Sequence, residues 1–96
     1  MFFVAICTDR PDSMAKRLEN RPAHLAYLAA LGARVKIAGA LLAPDRQSTL
    51  GSLIIFEGES EDEVAALCAE DPYAVAGLFA GVDIKPWRQA VGAPLG

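Results

Sequence analysis

Residues 51–58 read GSLIIFEG. Side chains alternate faces along a strand, so Leu53 and Ile55 stand on one side and Ile54 and Phe56 on the other. Neither face is polar. A strand of this kind is covered on both sides, and residues 52–57 are therefore read as a central strand closed by Gly58. The opening of the chain has the same character. In residues 2–8, Phe2, Val4 and Ile6 alternate with Phe3, Ala5 and Cys7 before Asp9, Arg10, Pro11 and Asp12 interrupt the pattern.

Between these two stretches lie a helix and a strand. Over residues 13–31, Met14, Leu18, Leu25, Leu28 and Ala29 recur at helical spacing as an apolar stripe. Proline suits the first turn of a helix far better than its interior, so Pro22 predicts a kink or restart. Gly32 is placed to cap the C-terminus. Residues 35–42 read as a strand with Val35, Ile37 and Gly39 on one face, and the polar run from Pro44 to Ser48 reads as a turn.

Beyond residue 58, Ser60 followed by Glu63 forms a capping box, in which each side chain accepts from a backbone N–H of the first helical turn. The acidic start, Glu61 to Glu63, also suits the positive end of a helix dipole. Val64, Leu67 and Cys68 supply this helix with its apolar stripe. Asp71 and Pro72 end it, and residues 73–79 allow one more helical turn. Residues 82–87 form the last strand, and Pro86 puts the end of that strand at a sheet edge. Residues 92–96 read as loose or docked on a partner.

The order is β-α-β-β-α-β, the ferredoxin-like pattern of an α+β fold with an antiparallel sheet, in a single domain over residues 1–96. In that pattern the first and third strands are central, both helices lie on one face, and the other face is bare. Here those two strands are the ones that are apolar on both sides. Leaving such a face in water costs roughly 25 cal/mol per Å², and patches of this kind mark interfaces. A homodimer, or a higher homo-oligomer, with sheets packed face to face is expected.

Composition agrees. A chain of 96 residues suits one domain, and one this small buries only roughly 60–65% of its unfolded surface. With 53% hydrophobic residues, it has apolar surface to hide between subunits. A net charge of −3 without a basic stripe argues against nucleic acid as a partner. No apolar run approaches the ~20 residues that cross a bilayer. The apolar start lacks a basic lead and runs into TDRPD, unlike a secretion signal. No membrane partner is expected, and the cytoplasm is the default location. Cys7 and Cys68 lie in apolar runs and read as reduced core thiols. Two cysteines and one histidine give no zinc-ligand spacing, so no metal is expected.

The candidate chemistry is sparse. His24, the one histidine, sits beside the apolar stripe of the first helix. It reads either as a partly buried side chain with one hydrogen bond or as a general acid or base, since its pKa range suits both roles. Asp71 reads as turn punctuation before proline or as the carboxylate that orients a histidine; one oxygen can cap a turn while the other meets the ring. Arg21 reads as a solvated charge or as a holder of a substrate anion. Tyr27 and Tyr73 read as core or as pocket wall, and Ser52 as strand entry or as a hydrogen-bond donor. Gly39 would permit close backbone approach. There is no phosphate loop, dinucleotide fingerprint or nucleophile elbow, so no cofactor is expected.

RPAHLAYLAALG, IAGALLAPD, GSLIIFEGES and DPYAVAGLFAGVDIKPW, following the short opening strand, resemble the YciI-like family in order and spacing over residues 2–87. The resemblance implies a ferredoxin-like subunit pairing into a dimeric α+β barrel, as in muconolactone isomerase. It also implies that a His and an Asp face one another in a cleft, here His24 and Asp71. Arg21, Gly39, Ser52, Pro72 and Tyr73 fall at motif positions as pocket or structural residues. A relative that breaks down chlorinated aromatics is a dehydrochlorinase, so the scaffold supports acid/base elimination. The expected activity is cofactor-free proton transfer or elimination on a small metabolite, of lyase or isomerase type. The alternatives are a non-catalytic small-molecule-binding or accessory module and a barrel monooxygenase, the latter acting on quinol-like substrates or haem.

Overall fold

The computed structural model describes residues 1–95; of the tail expected to be loose or docked, Gly96 lies outside the described residues. The elements are β1 (Phe2–Asp9), α1 (Met14–Leu31), a 3-10 turn (Gly32–Arg34), β2 (Val35–Leu42), β3 (Thr49–Glu57), α2 (Glu61–Glu70), α3 (Pro72–Val75) and β4 (Phe79–Trp87). The strands form one sheet in the order β2-β3-β1-β4, with every pairing antiparallel. The two doubly apolar strands are the central ones. This is the ferredoxin-like α+β arrangement.

Register decides which side chains share a face. Phe3 pairs with Phe56, Ala5 with Ile54 and Cys7 with Ser52. The apolar members of this set meet Leu28 from α1 and Val64, Leu67 and Cys68 from α2 in the core. On the opposite face Phe2, Val4, Ile6 and Leu53 stay half-buried. At one end of the sheet Pro94 and Leu95 lie beside Phe2 and Trp87 around a hollow of about 840 Å³. No helix among the described residues is long and apolar enough to cross a membrane.

Three local readings change. A bulge at Lys36 breaks the alternation of β2. Val35 therefore packs on the core while Ile37 is exposed on the other face. The helix α1 runs through Pro22 without restarting. Pro22 is exposed, so water can serve the carbonyl it leaves without a donor. Of the apolar stripe of α1, only Leu28 lies on the buried face. Leu18 is 64% exposed, and Met14 and Leu25 are exposed as well, while Arg17, His24 and Leu28 turn inward. A buried arginine is tolerable only with partners beneath it, and β1 and β3 provide them.

The strands also reach further than their apolar cores: β1 takes in Asp9, β3 starts at Thr49 and β4 at Phe79. Helix α2 starts at the expected capping box. Ser60 Oγ accepts from Glu63 N–H at 3.2 Å, but the Glu63 carboxylate accepts from Glu59 N–H, one residue outside the cap, at 3.0 Å.

Cys7 and Cys68 are free and buried. The neighbouring Cys68 and then burial push the Cys7 thiol far above its ordinary range. The reactive species is the thiolate, so Cys7 is expected to resist iodoacetamide at mildly alkaline pH until the chain is unfolded. Mass spectrometry of the native protein checks this; rapid modification of Cys7 without denaturant would contradict its placement in the core.

Candidate active site

The site forms where the inward face of α1 passes over the junction of α2 and α3. Asp71 is the residue between those two helices, closing α2 and capping α3. Its Oδ1 accepts from the Tyr73 N–H at 2.9 Å. His24 projects from α1 so that Nδ1 lies 2.9 Å from both Oδ1 and Oδ2 of Asp71. Only 7% of His24 and 2% of Asp71 is exposed. A carboxylate can only accept, so the proton between them sits on Nδ1, and Nε2 is left on the far side of the ring. The ring itself stacks on Tyr73, with centroids 3.9 Å apart and planes 12° from parallel.

A cavity of about 150 Å³ adjoins this pair, lined by Arg17, Arg21, His24, Ser52, Tyr73 and the Gly39 segment of β2 among others. A cavity of that volume holds a single six-membered ring. The larger hollow near Trp87 has no comparable acid/base pair among its lining residues.

Arg17 and Asp9 are the site residues that sequence reasoning missed. Arg17 Nε donates to Asp9 Oδ2 at 2.8 Å, and Nη2 donates to Asp9 Oδ1 at 3.1 Å and to Ser52 Oγ at 2.8 Å. The guanidinium also lies 4.7 Å from the centroid of the Tyr73 ring. Burial by itself pulls the Arg17 pKa down, but the paired Asp9 outweighs it and raises the value. Burial pushes the Tyr73 phenol up, and Arg17 and Arg21 pull it part of the way back. A signal for Arg17 was available: Arg17, Arg21, His24 and Leu28 follow at four-, three- and four-residue steps, which is one helical face.

The remaining candidates separate. Ser52 is buried on the helix-covered face of β3. Arg21 borders the cavity but is exposed. Tyr27 is not among the lining residues; its hydroxyl donates to the Leu67 carbonyl at 2.6 Å, tying α1 to α2. Gly39 borders the cavity, yet a Cβ there would meet nothing within 4 Å, so no neighbouring protein atom demands a glycine. Pro72 occupies the first turn of α3.

Fold and site together define a class: a ferredoxin-like α+β domain with a buried histidine–carboxylate pair beside a ring-sized cavity. A family profile described as YCII-related domain matches residues 1–88, and the chain belongs to that family. It is similar to protein YciI of Escherichia coli, 38% identical over 93% of this chain and 98% of that one. An uncharacterized protein of Haemophilus influenzae is 34% identical over the same shares. Among solved structures it resembles 5-chloro-2-hydroxyhydroquinone dehydrochlorinase (TftG) of Burkholderia phenoliruptrix, in complex with 2,5-dihydroxybenzoquinone. That likeness has a TM-score of 0.84 and 37% identity, and covers 94% of this chain and 96% of that one. SnoaB, a cofactor-independent oxygenase of Streptomyces nogalater, shares the fold at a TM-score of 0.58 and 16% identity, over 96% of each chain.

Proposed function

We propose that this protein is a small cofactor-independent enzyme of lyase or isomerase type that moves a proton on a planar, ring-sized metabolite. The observation that carries this reading is the His24 Nδ1 contact with Asp71 at the wall of a ring-sized cavity. His24 Nε2 is the acid/base atom. Asp71 fixes the ring and stabilises its protonated form, as the carboxylate of a triad does. In an elimination from the keto tautomer of a chlorinated, hydroxylated ring, whose chlorine-bearing carbon is saturated, Nε2 takes a hydroxyl proton and the O–H pair becomes the new C=O bond. The ring double bond shifts toward the chlorine-bearing carbon, and chloride departs with its own pair. No electrons pass to or from a cofactor. The likeness to a dehydrochlorinase with a dihydroxybenzoquinone bound supports a hydroxylated ring as substrate class. A porphyrin far exceeds the cavity volume, which disfavours the haem reading.

The test uses 5-chloro-2-hydroxyhydroquinone and related hydroxylated rings in deuterated buffer, following chloride release and deuterium incorporation by NMR. The wild type is expected to catalyse at least one of these reactions. Rings that bind without either reaction would leave only a metabolite-binding module.

The half-buried face of β1 and β3, which carries Phe2, Val4, Ile6 and Leu53, supports a homodimer. Sedimentation at micromolar concentration is expected to give a species of two 10.2 kDa chains. A stable monomer would contradict it.

A further inference from the structure

Arg17 has more donors than its protein partners use. Nε and one edge of Nη2 are occupied by Asp9, and the other N–H of Nη2 by Ser52 Oγ. Nη1 has no partner within ordinary hydrogen-bond distance among the described residues, the Tyr73 hydroxyl being a looser polar neighbour of the guanidinium. Yet no buried side-chain nitrogen or oxygen among the described residues lacks a partner. Nη1 is therefore not sealed in protein, and the space Arg17 borders is the cavity shared with His24. Ser52 has the same property. Its Oγ accepts from Arg17, and its own hydrogen has no acceptor among the described residues. In a guanidinium fork, the Nη1 N–H and the Nη2 N–H aimed at Ser52 run side by side. The free Ser52 O–H and the Arg17 Nη1–H thus lie next to one another on the cavity wall.

The geometry points to an oxyanion subsite, in which Arg17 Nη1 and the Ser52 hydroxyl jointly hold a phenolate, enolate or carboxylate oxygen of the ring whose proton His24 handles. This assignment rests on the proton-transfer reading of the same cavity and gives the task first expected of Arg21 to a residue deeper in the wall. Asp9 grips the opposite edge of the guanidinium, which fixes the fork before any ligand arrives. Donors that need no reorganisation are the ones that stabilise charge developing during a reaction. Proton removal from a hydroxylated ring places negative charge on its oxygen, where these two donors converge. Arg17 and Ser52 then act on the substrate, and Asp9 is a positioning residue acting through Arg17.

The test is direct binding of 4-nitrophenolate, followed by its absorption spectrum, against nitrobenzene as a ring of similar size without the charged oxygen. Neither probe needs turnover, so the result is independent of whether His24 moves a proton. The wild type is expected to bind the phenolate at least about tenfold more tightly than nitrobenzene and to lower the pKa of the bound phenol. A charge-assisted hydrogen bond is worth about tenfold or more in affinity, so Arg17→Gln should abolish the preference and Arg17→Lys should restore only part of it. Ser52→Ala removes one O–H and, with it, the acceptor of Arg17 Nη2, while Asp9 still holds the other edge of the guanidinium. It should lower phenolate affinity several-fold while leaving nitrobenzene binding unchanged, and it serves if Arg17→Gln does not fold. A wild type without preference for the phenolate, or a Ser52→Ala protein that binds both probes as the wild type does, overturns the subsite.

Discussion

His24→Ala is expected to lower turnover by about 10²–10⁴-fold, the range over which a positioned acid/base group contributes. The loss should fall on kcat, because Nε2 acts on a proton in flight and not on the bound ground state. Asp71→Asn separates chemistry from architecture. Asparagine keeps an oxygen for the Tyr73 N–H that Asp71 now receives at 2.9 Å, so the start of α3 stays capped. It can, however, turn its amide toward His24, reverse the tautomer and put the proton on Nε2, where the base is needed. Activity should then drop by a similar factor while the thermal midpoint changes little. If either variant retained more than a tenth of wild-type turnover, with folding verified by circular dichroism, the histidine would not be the acid/base group.

The second large effect is on stability. Asp9→Ala strips the carboxylate partner found among the described residues from a guanidinium whose side chain is 8% exposed, the Asp9 side chain itself being 6% exposed. At that depth water screens the charge only weakly, and removing one partner of a buried pair costs about 3–5 kcal/mol. For a domain of this size each kcal/mol moves the thermal midpoint by roughly 4–8 °C. Differential scanning calorimetry should therefore show a fall of at least about 12 °C. Replacing both partners, Asp9→Ala with Arg17→Met, should recover much of it, because a buried ion pair is often no better than an apolar pair of similar volume. A midpoint for Asp9→Ala within a degree or two of wild type would mean that Arg17 is solvated and that the cavity wall is differently built.

What could be read in advance follows from how each signal is generated. The double-sided apolar pattern of residues 2–8 and 52–57 reports burial by sheet and helix together, so it located the two central strands. Ser60 and Glu63 report a local hydrogen-bond pattern, which makes the start of α2 legible without any tertiary knowledge. Arg17 and Asp9 were not legible as a pair because neither has a local reason to be buried. Asp9 has the composition of a strand breaker, and Arg17 that of a solvated helix charge. Only the packing of α1 across β1 and β3 brings them together and lets each neutralise the other. The same packing explains the misread stripe of α1. Leu18 and Leu25 carry a helical period, but the face that meets the sheet is set by the partners available to Arg17 and His24. The bulge at Lys36 left no mark in composition, since Val35 and Ile37 are equally at home on either face.

The most direct measurement of the account is the tautomer of His24 in the free protein. It is the one histidine in the chain, so a nitrogen-15 spectrum of ring-labelled protein contains a single imidazole and needs no assignment. With the ring neutral, the proton should reside on Nδ1, held by Asp71, with Nε2 unprotonated, and Asp71→Asn should disturb that preference. A proton on Nε2 in the wild type, or a ring exchanging freely between tautomers, would mean that Asp71 does not hold the imidazole and that the acid/base proposal is wrong.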